Sequence, residues 1–85
     1  MNNSFYDDQG TLLKLNDLVS FFSPMQHRVF YCDVSILDGR WILSDATRRW
    51  DLGKFRKKLI DLTRINEGDG AYKLAYFRSK GYYLK

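Results

Sequence analysis

Short runs of apolar residues separated by polar ones at the beginning of the chain predict a small N-terminal antiparallel sheet. Two of these runs, 4–6 and 11–15, flank an Asp-Asp-Gln-Gly segment at 7–10. Aspartate and glycine are typical of a tight hairpin turn, because both accept the backbone conformations that such a turn requires. A third apolar run follows at 18–22. We therefore expect three short strands in this part of the chain.

After the run at 18–22, apolar residues recur at helical spacing and predict a first helix. Ser23 can cap free backbone N–H groups, and Pro24 at the first helical position loses no hydrogen bond, so the helix is expected over 24–37. Apolar residues recur at helical spacing within it, and Asp38-Gly39 supplies its end. The segment 40–43 that follows is too short and too β-prone to be helical.

Two further helices are predicted in the middle of the chain. The capping residues Ser44-Asp45 predict a brief second helix through Trp50. The third helix follows at once, because four apolar residues form one narrow stripe on a period of 3.6. These residues are Leu52, Phe55, Leu59 and Leu62. The opposite side carries Lys54, Lys57, Lys58, Asp61 and Arg64, with Arg56 at its margin. That largely cationic face is free to meet a partner.

The C-terminal segment predicts a β-hairpin with a cationic tip. A polar loop at 66–70 ends the third helix. Two strands rich in aromatic residues, 72–77 and 82–84, then flank a turn at 78–81, in which Gly81 can adopt a positive φ. The predicted order is strand, helix, short helix, helix and hairpin. The length of the chain predicts that one domain spans residues 1–85.

Charge is distributed unevenly along the chain. Residues 1–39 contain two basic and five acidic side chains, a net charge of −3, whereas residues 40–85 contain twelve and five, a net charge of +7. A polyanion would be attracted to this second half, which carries the predicted third helix and hairpin. The ordinary solvated surface of a basic protein is the alternative. With neither a run of roughly 20 apolar residues nor a signal peptide, we expect a cytoplasmic, nucleoid-associated protein without membrane contact.

The sequence offers no recognisable catalytic or metal-binding set. The single cysteine, Cys32, and the single histidine, His27, exclude an internal disulfide and a Cys/His zinc site within one chain. Cys32 lies in an apolar run, where a thiol typically acts as a small buried hydrophobe. The glycines form no phosphate-binding loop, and no nucleophile, base and orienting group can be assembled. We therefore expect no enzymatic activity, no cofactor and no small-molecule substrate.

Two segments resemble the winged-helix output domains of OmpR/PhoB-type response regulators. Phe55-Arg56-Lys57-Lys58-Leu59 is similar to the end of their recognition helix, and Phe77-Arg78-Ser79-Lys80-Gly81-Tyr82-Tyr83-Leu84 is similar to their wing hairpin. The resemblance implies an α+β fold, a winged helix-turn-helix with a small N-terminal antiparallel sheet, three helices and a C-terminal β-hairpin wing. It also implies sequence-specific binding of double-stranded DNA, with the third helix in the major groove and the wing in the minor groove.

The resemblance assigns roles to individual basic residues. Lys54 takes a base-reading position, Arg56 a phosphate-binding position, and Arg78 the position of the arginine that enters the minor groove. Arg48 and Arg49 precede the helix and can grip phosphates at its N-terminal end. The predicted interface comprises Arg48, Arg49, Lys54, Arg56, Lys57 and Lys58 on the recognition helix, and Arg78, Ser79 and Lys80 on the wing. A solvated helix face and a plain exposed turn are the alternatives.

Several functional hypotheses stay open at this point. The connection between the second and third helices is shorter than in the family, which favours a repressor or an architectural protein over an activator. A small domain usually needs a second copy, so we expect a homodimer or a cooperative array on DNA. A different hypothesis is a phage-type inhibitor or adaptor that binds a host protein through aromatics such as Phe21, Phe22 and Trp41. A third is RNA or single-strand binding through aromatics such as Tyr76 and Tyr83.

Overall fold

A five-stranded antiparallel sheet dominates the computed structural model of the protein, which describes residues 4–82. The strands are β1 (Leu18–Ser23), β2 (Arg28–Leu37), β3 (Arg40–Ser44), β4 (Arg49–Asp51) and β5 (Ile60–Ile65). The described helical elements are α1 (Leu52–Phe55), a 3₁₀ turn at Arg56–Lys58, and α2 (Tyr72–Ser79). The strands lie in the order β4-β3-β2-β1-β5, so the last strand pairs with the first.

Short connections arrange the first four strands as a meander. Asp38-Gly39 joins β2 to β3 with φ angles of 52° and 74°, which is the two-residue hairpin geometry that Asp-Gly favours. The longer β1–β2 connection at 24–27 contains His27, whose φ is 56°. The pairing of β1 with β5 then joins residues that are far apart in the sequence, such as Leu18 and Ile65.

One face of the sheet forms the hydrophobic core. The strand register places Phe21 opposite Phe30, and Trp50 packs on both rings at centroid distances of 5.1 and 4.8 Å. The clustered buried residues are Leu13, Val19, Phe21, Phe30, Cys32, Val34, Leu43, Trp50, Leu52, Leu59 and Leu62. Burying a large apolar side chain contributes about 1.5–3 kcal/mol, so this cluster is the main source of stability.

The link between the two edge strands covers one side of this core. It consists of α1 and the 3₁₀ turn and runs from β4 to β5. Leu52 and Leu59, at the two ends of this connection, are buried, and α1 packs on β3 and β4. The core therefore lies between that face of the sheet and the helical connection.

Helix α2 covers part of the opposite, outer face of the sheet. It packs on β1 and β2, and its buried residues are the small Ala75 and Ser79, four positions apart. Just after the helix, the Lys80 Nζ donates to Asp33 Oδ2 at 2.7 Å. The larger side chain of Tyr76 remains 42% exposed. Small residues and one ion pair therefore provide much of the attachment of α2 to the sheet.

The N-terminal segment covers the outer edge of β5. Asp8 Oδ2 accepts the N–H of Leu62 at 2.9 Å, and the Asp8 N–H donates to the Leu62 carbonyl at 2.7 Å. Asp7 Oδ2 accepts the N–H of Arg64, also at 2.9 Å. These bonds satisfy backbone groups that an edge strand would otherwise expose. The two aspartates thus act as a cap on the sheet edge.

The predicted winged-helix fold, with three helices and a hairpin wing, is wrong. The first predicted helix, 24–37, is the β1–β2 connection followed by β2. Its apolar residues fit both helical and strand periods, and the alternate burial of Phe30, Cys32 and Val34 shows that the strand period applies. The second predicted helix, 44–50, consists of the last residue of β3, the loop 45–48 and the first two residues of β4.

The predicted recognition helix and wing also differ from the structure. Only the first part of the third helix is helical, and the chain from Ile60 onward forms β5, where β1 and the N-terminal aspartates supply backbone partners. The predicted strand 72–77 belongs to α2, whose small residues fit against the sheet. The predicted strand 82–84 lies mostly outside the described residues. Local patterns cannot reveal partners that are this distant in sequence.

Two N-terminal expectations are confirmed. A bridge between Tyr6 and Leu12 closes the turn predicted at 7–10, and the apolar run 18–22 lies in β1. The run 11–15 is not a strand, so these segments do not form a separate small sheet. Within residues 4–82, no helix has the length and apolar character needed to cross a membrane.

Candidate nucleic-acid interface

Basic side chains from three separate segments gather at one end of the sheet. This end is formed by the β1–β2 connection, the β3–β4 loop and the 3₁₀ turn. The register brings them together, since Ser23 pairs with Arg28 and Phe22 pairs with Ile60, the first residue of β5. We call this region the cationic end, and its members are Arg28, Arg48, Arg49, Lys57 and Lys58.

Two of these cations lie over one buried ring. The guanidinium carbons of Arg28 and Arg48 are 4.4 and 5.2 Å from the centroid of Phe30. Each cation gains attraction from the ring quadrupole, which offsets part of their mutual repulsion. The ring thereby positions two like charges close together, although they are twenty residues apart in sequence.

The other three cations line a partly apolar groove beside the same end. Arg49 and Lys58 border a cavity of about 210 Å³, and Lys57 and Lys58 border an adjoining cavity of about 360 Å³. The apolar lining comes from Pro24, Met25, Trp50, Phe55, Leu59 and Ile60. Lys58 Nζ lies 5.7 Å from the centroid of Phe55. The groove therefore combines a hydrophobic floor with a cationic rim.

None of the five cations forms an ion pair within residues 4–82. The ion pairs of that region are Arg40–Asp51, Arg56–Asp8, Arg64–Asp17 and Lys80–Asp33. Asp45 is the acidic residue of the β3–β4 loop, and its Oδ1 accepts the N–H groups of Thr47 and Arg48 at 2.8 and 2.7 Å. The cationic end thus keeps a surplus of positive charge that the fold does not neutralise.

The structure brings together four of the residues that the sequence predicts for binding. Arg48, Arg49, Lys57 and Lys58 all belong to the cationic end. Lys54 does not, because it lies on α1 beside Gly39 and Arg40, at the opposite end of the sheet. The predicted interface is therefore split rather than continuous.

The remaining predicted residues have other surroundings. Arg56 donates two hydrogen bonds to the Tyr6 carbonyl and pairs with Asp8 at 2.8 Å. Ser79 is buried and donates to the Tyr76 carbonyl at 2.7 Å. The last two, Arg78 and Lys80, belong to α2 and its C-terminal end rather than to a hairpin wing.

Arg78 and Lys80 differ in their surroundings. Lys80 pairs with Asp33, and this hydrogen bond raises the pKa of Lys80 above its ordinary value, although burial opposes the shift. Lys80 is therefore a charged partner of Asp33 within the fold. Arg78 is exposed on the outer face of the sheet, where its guanidinium carbon lies 5.5 Å from the Tyr31 centroid, on a different surface from Lys54.

Sequence reasoning missed Arg28, because it assigned this residue to the interior of a helix. The signal that could have placed it was the two-residue Asp38-Gly39 turn between two β-prone segments, which is a strong hairpin indicator. Reading 28–37 as a strand places Arg28 at its start, next to the chain reversal at 24–27.

The reactive side chains do not form a second site in the described part of the chain. Cys32 is fully buried, and burial raises the pKa of its thiol far above the ordinary value. His27 is exposed in the β1–β2 connection. Residues 4–82 contain no group of three or more side chains arranged to hold a metal ion.

Comparison of the chain with known protein families, characterised proteins and solved structures finds no match in any of the three. The relationship to response-regulator output domains therefore stays a prediction. The geometry and charge of the cationic end are then the features that bear most directly on function.

Proposed function

We propose that this protein binds nucleic acid without catalysis, by placing the cationic end against the phosphate backbone. The observation that carries the proposal is the convergence of Arg28, Arg48, Arg49, Lys57 and Lys58, none of which has an ion-pair partner within residues 4–82. Cations that approach phosphates release condensed counterions, and this release provides affinity that does not depend on sequence.

The mechanism differs from the one that the winged-helix resemblance implied. Helix α1 has four residues and leads directly into a 3₁₀ turn, so it is too short to serve as a recognition helix in the major groove. Duplex DNA is still the first ligand to test, because its high charge density suits a compact cationic patch. The regulatory role, the homodimer and the nucleoid association stay predictions.

The test compares two triple variants with the same change in net charge. Arg49→Gln/Lys57→Gln/Lys58→Gln removes three cations from the cationic end. Lys14→Gln/Lys54→Gln/Lys73→Gln removes three exposed cations from elsewhere. Affinity for a fluorescent DNA duplex is measured by anisotropy between about 50 and 200 mM salt.

We expect the first variant to bind at least about tenfold more weakly at low salt, with a salt slope shallower by roughly 0.9 for each phosphate that is no longer neutralised. The control should change affinity less than about threefold, because distant charges are largely screened beyond about 10 Å. Equal weakening in both variants, or binding that does not depend on salt, would refute the proposal. Thermal melts verify that both variants are folded.

A further inference from the structure

We infer that the ligand is single-stranded, with unpaired bases stacked on the outer face of the sheet beside the cationic end. This inference rests on the proposed function and adds the class of nucleic acid. It depends on four neighbouring side chains, which we call the outer platform: Phe22, Val29, Tyr31 and Ile60.

The strand register places the four side chains on one face. Phe22 pairs with Val29 on β2 and with Ile60 on β5, and directly paired residues point to the same side of a sheet. Tyr31 is two positions from Val29, and side chains alternate along a strand, so it shares that face. Contact between Tyr31 and Arg78 of α2 identifies this face as the outer one.

The outer platform is partly accessible and largely apolar. Val29 is 49% exposed and Ile60 is 45% exposed, while Phe22 and Tyr31 are partly exposed. Neither of the two rings packs against another aromatic ring within residues 4–82. Contiguous exposed apolar side chains on a small protein commonly mark a binding surface.

Cations border the outer platform on two sides. The Arg78 guanidinium lies over Tyr31, and Lys57 and Lys58 line the cavity that contains Ile60. Positive charge on both sides of an apolar surface selects an anionic ligand that also has flat apolar faces. Single-stranded nucleic acid has this combination, because its phosphates are charged and its unpaired bases can stack on side chains. A duplex hides those base faces within its own stack.

The test measures affinity for an oligothymidine of about 12 nucleotides, within the site sizes of single-strand binders, and for a duplex of the same length. We expect the single strand to bind at least about tenfold more tightly, since stacking adds to the phosphate contacts. A duplex that binds equally or more tightly would refute this inference while leaving the proposed function intact. No binding of either ligand would refute both.

A conservative substitution locates the site. Phe22→Leu keeps an apolar side chain but removes the flat ring, and it should weaken single-strand binding about fivefold while leaving duplex binding unchanged. Tyr76→Leu is the matched control, because Tyr76 is an exposed ring on α2 outside the outer platform. Equal effects of the two substitutions would refute the assigned location.

A titration of the unaltered protein keeps the location testable if Phe22→Leu does not fold. Addition of oligothymidine should shift the amide resonances of Phe22, Val29 and Tyr31 in a two-dimensional NMR spectrum. The amides of Lys54 and Lys73, which lie elsewhere, should not shift. Shifts confined to α1 or to the exposed side of α2 would refute the outer platform as the stacking surface.

Discussion

At the scale of single residues, Asp7 shows how one carboxylate can connect a local turn to a distant strand. Its Oδ1 accepts the N–H groups of Gln9 and Thr11 at 2.9 and 2.8 Å, while its Oδ2 accepts that of Arg64 at 2.9 Å. Burial by itself raises the pKa of Asp7, but the hydrogen bonds outweigh this effect and hold the pKa below the ordinary value of 3.8. The ionised form is therefore part of the native fold.

Replacement of this carboxylate should destabilise the protein. We expect Asp7→Asn to lower the free energy of unfolding by about 1–3 kcal/mol at neutral pH. The asparagine side chain would place an N–H donor where the backbone N–H of Arg64 needs an acceptor. Urea denaturation gives the value. Asp38→Asn is the control, since Asp38 is exposed in a hairpin turn that asparagine also accepts. Equal stability of the two variants would contradict the role given to Asp7.

The same residue predicts a pH dependence. Because the folded pKa lies below the ordinary value of 3.8, the stabilisation from ionised Asp7 is complete above that value. It is lost as the pH falls through the lower folded pKa. The stability difference between the natural protein and Asp7→Asn should therefore be largest at neutral pH and shrink below about pH 3.8. A constant difference between pH 7 and pH 3 in urea denaturation would contradict the assignment.

At the scale of elements, the 3₁₀ turn joins three parts of the fold. Arg56 Nε and Nη2 donate to the Tyr6 carbonyl at 3.0 and 2.8 Å, and Nη2 also pairs with Asp8. Asp8 in turn accepts a hydrogen bond from the Leu62 N–H of β5. This chain of contacts makes Arg56 a structural residue, although its neighbours Lys57 and Lys58 are free to meet a ligand.

Mutation can distinguish the structural role of Arg56 from the ligand-binding role of Lys57. Arg56→Gln should lower the free energy of unfolding by about 1 kcal/mol and speed amide exchange at Leu62, because the N-terminal cap on β5 is loosened. Lys57→Gln should leave both quantities nearly unchanged and instead weaken nucleic-acid binding. Urea denaturation and hydrogen exchange provide the measurements. An Arg56→Gln protein with unaltered stability and exchange would contradict this division.

At the scale of the whole molecule, the position of β5 decides the architecture. The first four strands form a meander of neighbours, but β5 returns to pair with β1 across 38 to 47 residues of sequence. This closure brings the 3₁₀ turn to the same end as the β1–β2 connection and the β3–β4 loop. The cationic end therefore exists only after the longest-range pairing has formed.

Such a topology predicts slow folding for a chain of this size. Sheets dominated by non-local pairing fold in milliseconds to seconds, whereas helical domains fold in microseconds to milliseconds. We expect refolding in the slower range when stopped-flow tryptophan fluorescence is followed after dilution from urea. The signal comes from Trp41 and Trp50, and Trp50 reports on core formation because it packs on Phe21 and Phe30. Relaxation well below a millisecond would argue against the β1–β5 closure.

Local chemistry in the sequence was enough to predict several parts of the molecule. The turn at 7–10 follows from its Asp and Gly residues, and β1 follows from a short apolar run. Aspartate is a common helix-capping residue, and Asp51 Oδ1 accepts the Gly53 N–H at 2.8 Å at the start of α1. Each of these features depends on interactions between residues close together in the chain.

The sequence by itself also determined the surplus of positive charge in the second half of the chain and the buried character of Cys32. Only the tertiary structure decided that 24–37 contains a strand rather than a helix, that Lys54 is separated from Lys57 and Lys58, and that Arg28 joins them. The physical reason is that apolar residues at short range fit two periods, and the choice depends on strand partners that the local pattern does not specify.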